Sequence, residues 1–269
     1  MDVLIGFGIA VVIALTGVGA GVITAPLLIL FMHVPIEIAV STALAYSAVV
    51  KLIIVPVQMW RRQVVYRVLG YMLLGGLPGV IIGSLLFKHV AQHGPRSILY
   101  AFLGAIIIFS AGWHIYRYFF PAPAAAPGQQ RKERPKWISV IMLPIGAEVG
   151  FSSSGAGALG TIALLSLTSL TASQVIGTDL TFGLGIAMTG SAVHAVGGVY
   201  DVALLWKLAL GGVLGGILGS TAAPRIPNRQ LRLALSVWLF AIGIEFCYQA
   251  VHGAARIAAL GSLGTSLLR

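Results

Sequence analysis

The chain is one apolar module written twice. At a shift of 136 positions, residues 16–84 lie over 152–220 without a gap and with 15 identities. The matches fall where backbone geometry is demanding. Gly19-Ala20-Gly21 aligns with Gly155-Ala156-Gly157, and Thr42 with Thr178. Gly75, Gly76, Gly79, Gly83 and Ser84 align with Gly211, Gly212, Gly215, Gly219 and Ser220. Hydrophobic residues make up 58% of the chain and charged residues 9%, far from soluble-protein usage. Stretches of about 20 apolar residues read as membrane helices. The expected fold is therefore all-α and polytopic, built from two homologous repeats.

Eight apolar segments are expected, near 2–31, 36–58, 65–87, 97–119, 137–167, 172–197, 203–222 and 230–250. Residues 121–136, PAPAAAPGQQRKERPK, are rich in Pro, Ala and charge and read as a solvated, cytoplasmic linker. The linker divides a first repeat, 1–120, from a second, 137–250, and residues 251–269 form a tail, either a short interfacial helix or frayed. The net charge of +10 sits in basic residues between apolar segments, which favours membrane orientation over nucleic acid. The first apolar stretch is too long to read as a cleaved signal peptide. The single Cys247 excludes an intrachain disulfide and reads as a packing residue.

The opening segment of each half is too long for one span. Residues 2–31 would form a helix of about 45 Å against a hydrocarbon core of about 30 Å. Thr16-Gly17-Val18-Gly19-Ala20-Gly21 interrupts it, and Ser152-Ser153-Ser154-Gly155-Ala156-Gly157 interrupts its counterpart. Each is expected to be two half-helices around an unwound stretch, as a broken span or a re-entrant hairpin. Hairpins make the repeats inverted; full spans make them parallel. Both arrangements place 11 basic residues on one side against 5, so charge does not separate them. The inverted form is preferred, because it leaves the arginine-free N-terminus outside.

Unwound backbone in a membrane is tolerated where protein or a water-filled cavity satisfies it. Half-helices starting there point free N–H groups and a positive dipole end inward. Gly17, Gly19, Gly21, Ser152, Ser153, Ser154, Gly155 and Gly157 are thus expected to cradle a small anionic substrate, although glycine also serves plain helix packing. Thr42 and Thr178 add a hydroxyl at the same place in each half and suit a shared central site. Asp179, an intramembrane carboxylate, is the coupling candidate, weighed equally against a near-surface helix-start residue. His194 is a second proton-relay candidate, with an interfacial histidine the more economical reading. Lys51 reads as snorkelling to the basic face. Glycines at every fourth position, 75, 79 and 83 and again 211, 215 and 219, read as helix-packing stripes.

No cofactor and no metal site is expected. A Walker loop is missing, and the dispersed histidines give no ligand pair at helical spacing. The best enzyme alternative is an intramembrane serine hydrolase using one of Ser152–Ser154 with His194. The duplication counts against it, because the other half offers Thr16 and Gln58. An anion channel is the second alternative. The partners expected are an anion and the lipid bilayer; a homo-oligomer is compatible with the sequence.

The motifs TGVGAGVITAPLLIL (16–30), AVSTAL (39–44), SSSGAGALGTIALLSL (152–167), VIGTDL (175–180) and SAVHAVGGVYD (191–201) together resemble the TauE/SafE (sulfite exporter) family of membrane transporters. The resemblance covers nearly the whole chain. It implies export or exchange of small anions, namely sulfite, sulfonates or related organic acids, across a bacterial inner membrane.

Overall fold

A computed structural model describes residues 2–16, 20–120, 135–153, 156–196, 201–222 and 228–266. Their regular structure is ten helices. The first half holds α1 (Asp2–Thr16), α2 (Ala20–Met32), α3 (Ile36–Trp60), α4 (Tyr66–His93) and α5 (Arg96–Phe119). The second holds α6 (Pro135–Ser152), α7 (Ala156–Leu167), α8 (Ala172–Val196), α9 (Val202–Ala222) and α10 (Asn228–Ser266). Ile, Leu, Val and Ala dominate these segments, and in lipid the helix is the state that bonds every backbone group internally. Four helices are long and apolar enough to span: Ile36–Trp60, Tyr66–His93, Arg96–Tyr116 and Leu233–His252.

Two of the eight expected segments resolve into pairs of helices. Segment 2–31 becomes α1 and α2; segment 137–167 becomes α6 and α7. With 15 and 13 residues, α1 and α2 are roughly 22 and 20 Å long, each short of a 30 Å core. The α6 helix ends in a left-handed residue, Ser153, at φ 62°, whose N–H donates to the Val149 carbonyl. His33, at φ 53°, ends α2 likewise, and the Val34 N–H reaches back to the Leu28 carbonyl. Two boundaries differ from expectation. The α6 helix begins at Pro135, inside the expected linker, where proline suits a first helical turn; residues 121–134 lie outside the described residues. The α10 helix runs on through most of the expected tail to Ser266.

Helix boundaries repeat with the sequence shift. Ile36–Trp60 and Ala172–Val196 are both 25 residues long and stand 136 positions apart at each end. The packing repeats with partners exchanged. Gly75 and Gly79 of α4 lie against Ser139 and Leu143 of α6; Gly211 and Gly215 of α9 lie against Val3 and Phe7 of α1. Gly76 receives the ring of Phe182, and Gly212 the ring of Tyr46. Each contact maps onto the other under the shift. The glycine stripes thus serve backbone-to-backbone packing between the halves, since a Cβ at any of these positions would collide.

Contact order along the helices gives their directions. Ser41 meets His194, Leu44 meets Gly190 and Lys51 meets Gly183, so α3 and α8 are antiparallel. Gly75, Gly79 and Gly83 follow Ser139, Leu143 and Ala147 in step, so α4 and α6 are parallel. Leu73 and Val80 of α4 meet Gly185 and Gly190, so α4 and α8 are parallel too. Therefore α6 and α8 share a direction. A four-residue turn, 168–171, reverses α7 onto α8, so α6 and α7 form a hairpin rather than a broken span. One buried cluster gathers α1–α3, α5, α9 and α10 with Phe87 of α4 and Phe151 of α6, and a second gathers α4 and α6–α8 with Leu44 of α3. Outward faces expose Leu74, Leu85, Phe109 and Leu214, an apolar surface suited to lipid.

Candidate functional site

Described residues that flank the two interruptions touch. At the start of α2, Gly21 packs on the carbonyl of Ser153, which closes α6; a side chain at residue 21 would collide with it. The Ser153 hydroxyl is buried without a hydrogen-bond partner. The Ser152 hydroxyl lies 3.0 Å from the Glu148 carbonyl and 3.1 Å from Glu148 Oε1. Helices α2 and α7 start at these breaks, which leaves their first N–H groups without helical acceptors. Gly157 falls in the first turn of α7. Gly17, Gly19, Ser154 and Gly155 lie outside the described residues.

Beside the breaks runs the α3–α8 pair, which carries buried charge. Asp179, the eighth residue of α8, is 6% exposed and packed within the protein. Its Oδ2 accepts from Thr161 of α7 at 3.0 Å, its Oδ1 has no partner, and Gly160 leaves the room in which that oxygen sits. Lys51 is 8% exposed. Its ammonium does not snorkel to the basic face. It crosses to α8 and donates to the Gly183 carbonyl at 3.2 Å, one turn beyond Asp179. The two charges act on each other without forming a contact ion pair.

At the other end of the same pair, His194 is 5% exposed, two residues before the last of α8. Nε2 lies 3.2 Å from the Gly150 carbonyl of α6, an acceptor only, so this nitrogen carries a proton. Nδ1 lies 2.9 Å from the Ser41 hydroxyl, which also lies 2.8 Å from the Glu37 carbonyl. Phe87 flanks the ring at 5.3 Å between centroids. A small cavity, about 30 Å³, opens beside it between Glu37, Ser84 and Lys88. For the hydrolase alternative, the imidazole is committed to Ser41 and Gly150, whereas Ser152 is placed on Glu148.

The two threonines are not brought together. Thr42 neighbours Ser41, at the His194 level, with its buried hydroxyl unpartnered. Thr178 lies 16 residues before His194 on α8, roughly 24 Å along the axis. Its hydroxyl accepts the Val65 N–H at 3.0 Å, just ahead of α4. Equal places in antiparallel helices go to opposite ends. Sequence reasoning also passed over Ser41 and Thr161, whose partners come from other helices, and gave Lys51 no role in the site. The available signal for Lys51 was its type: a lysine inside an apolar span needs a partner.

Comparison with known proteins identifies the family. The profile of the sulfite exporter TauE/SafE family matches residues 3–246. The chain is 30% identical over 250 residues to the probable membrane transporter protein YjnA of Bacillus subtilis (strain 168), covering 90% of this chain and 97% of that one. It is 22% identical over 233 residues to the probable membrane transporter protein YdhB of the same organism, covering 87% and 94%. No solved structure matches the chain significantly. Matched over nearly its whole length, this all-helical chain belongs to the TauE/SafE family of membrane transporters.

Proposed function

We propose that this protein moves a small anion, of the class of sulfite, sulfonates or related organic acids, across a bacterial inner membrane by alternating access. The observation that carries the reading is the contact of Gly21 with Ser153, which joins the break of one half to the break of the other. The halves act as inverted repeats, as the antiparallel α3 and α8 suggest. The anion sits between the breaks, against the backbone of 17–21 and 153–157, with Ser152, Ser153 and Ser154 as hydroxyl donors. Thr42 and Thr178 line the two ends of the α3–α8 pair. Asp179 and His194, one towards each end, handle the coupling proton. Rocking of one half against the other exposes the site to each side in turn.

The test is sulfite efflux from proteoliposomes holding the purified protein. Saturable efflux above that of empty liposomes supports the carrier. No efflux discards sulfite, and a panel of sulfonates and carboxylates follows. Unitary currents in a planar bilayer, in place of saturable flux, would favour a channel.

A further inference from the structure

Lys51 and Asp179 are the buried charges that break the symmetry of the duplication. Under the shift of 136, Lys51 corresponds to Ala187 and Asp179 to Ala43. Both alanines are buried, at 1% and 0% exposure. The module therefore packs without charge at the equivalent positions, and packing does not account for the pair.

Hydrogen bonding leaves the pair incomplete. A lysine ammonium has three donors, and Lys51 uses one, on the Gly183 carbonyl. Asp179 uses Oδ2 for Thr161 and leaves Oδ1 unpartnered at 6% exposure. The two groups feel each other's charge yet do not touch. Lys51 of α3 is the charged group acting on Asp179, with Thr161 of α7 as its hydroxyl neighbour. The other charged side chains on the helices packed against α8 are Glu37 of α3, Arg67 and Lys88 of α4, and Lys136 and Glu148 of α6.

We propose that Lys51 holds the oxyanion directly, and that it does so when Asp179 is protonated, so that each anion bound takes up one proton. The proposal rests on the transport reading above. The charge count drives it. Lysine and carboxylate together are neutral; adding a monoanion leaves one uncompensated negative charge in a dry interior, which is strongly disfavoured. A proton delivered from water to Asp179 restores neutrality. It also turns the orphaned Oδ1 from a repelling acceptor into a donor. One anion oxygen then bridges the free ammonium hydrogens and the carboxyl O–H. With the site empty and Asp179 ionised, the carboxylate supplies the countercharge to Lys51 itself. The ligand class is a small singly charged oxyanion.

The probe is methanesulfonate, which stays a monoanion across the working pH range, so any proton taken up belongs to the protein. Its affinity is measured by calorimetry on the full chain in detergent from pH 5 to 9, with sulfite flux measured in parallel. Linkage predicts that Kd rises tenfold per pH unit above the titration of Asp179. In Asp179→Asn, which keeps an acceptor for Thr161, that slope should vanish, leaving only the loss of affinity at the alkaline end as Lys51 itself gives up its proton. Lys51→Met should lose binding by at least a hundredfold, and Lys51→Arg, which retains the charge, should restore most of it. A flat pH profile in the unsubstituted protein, the unsubstituted protein's slope kept unchanged in Asp179→Asn, or unchanged affinity in Lys51→Met overturns the proposal. Sulfite flux without methanesulfonate binding also overturns it, because this pair would hold any small oxyanion. Absence of both flux and binding instead removes the reading on which it rests.

Discussion

Gly21 and Ser153 come from different halves of the chain, and their backbones pack together where each half is interrupted. Ser153 is held there in a left-handed conformation, φ 62°, that serine seldom adopts. It also buries a hydroxyl with no partner. Both features oppose folding, and strain of this sort gathers at functional sites. Ser153→Gly removes both. It should raise the thermal unfolding midpoint in detergent, by about 1 kcal/mol of stability, while weakening anion flux through loss of a donor. Unchanged flux in a stabilised variant would take the hydroxyl out of the site.

Neighbouring glycines on α9 offer an internal control for packing. A Cβ on Gly215 would collide with the Phe7 backbone of α1, whereas one on Gly216 meets nothing within 4 Å. Gly215→Ala should destabilise by about 1–3 kcal/mol through overpacking. Gly216→Ala should be neutral or stabilise by up to about 1 kcal/mol, from helix propensity alone. Thermal unfolding of the two variants side by side decides it. Equal midpoints would mean that α1 and α9 do not pack as described.

The same contrast shows which parts of this fold a sequence can reveal. The glycine stripes are a local pattern, and Gly75, Gly79, Gly83, Gly211 and Gly215 pack where the residues had placed them. Depth and partnership are not local. Lys51 has a stem long enough to reach either water or α8, and only the opposing Gly183 carbonyl decides between them. His194 lies at the end of an apolar run, and nothing in that run reveals its partners, Ser41 of α3 and Gly150 of α6. Thr42 and Thr178 occupy equal places in their repeats. That equality means a shared site when helices are parallel and opposite ends when they are antiparallel, and nothing within one half reveals which holds.

The hydrogen bond between Ser41 and His194 can be weighed directly. Ser41 has one hydrogen and two neighbours, the Glu37 carbonyl and Nδ1 of the ring. Ser41→Ala removes an acceptor or donor from the imidazole, and His194→Phe removes the ring nitrogens while keeping an aromatic group beside Phe87. Each should destabilise by about 1–3 kcal/mol, because a buried polar group is left unpaired. The double variant should lose less than the sum, with a coupling of at least about 0.5 kcal/mol. Denaturant unfolding of the four proteins measures that coupling. Additive losses would show that the bond contributes nothing and would weaken the case for His194 as a proton carrier linked to α3.

Thr178 ties the start of α4 to α8. Its hydroxyl accepts the Val65 N–H, one of the donors that a helix start leaves without an internal acceptor. Thr178→Val keeps the shape and removes the acceptor, at a cost of about 1–3 kcal/mol. Thr178→Ser keeps the acceptor and should restore that stability. Because α4 packs on both α6 and α8, a loosened start should also slow the rocking of one half against the other. Anion flux should therefore fall in the valine variant and recover in the serine variant, with protein that remains monodisperse in both. Normal flux in Thr178→Val would remove residue 178 from the transport path, and its hydroxyl would then serve only to cap α4.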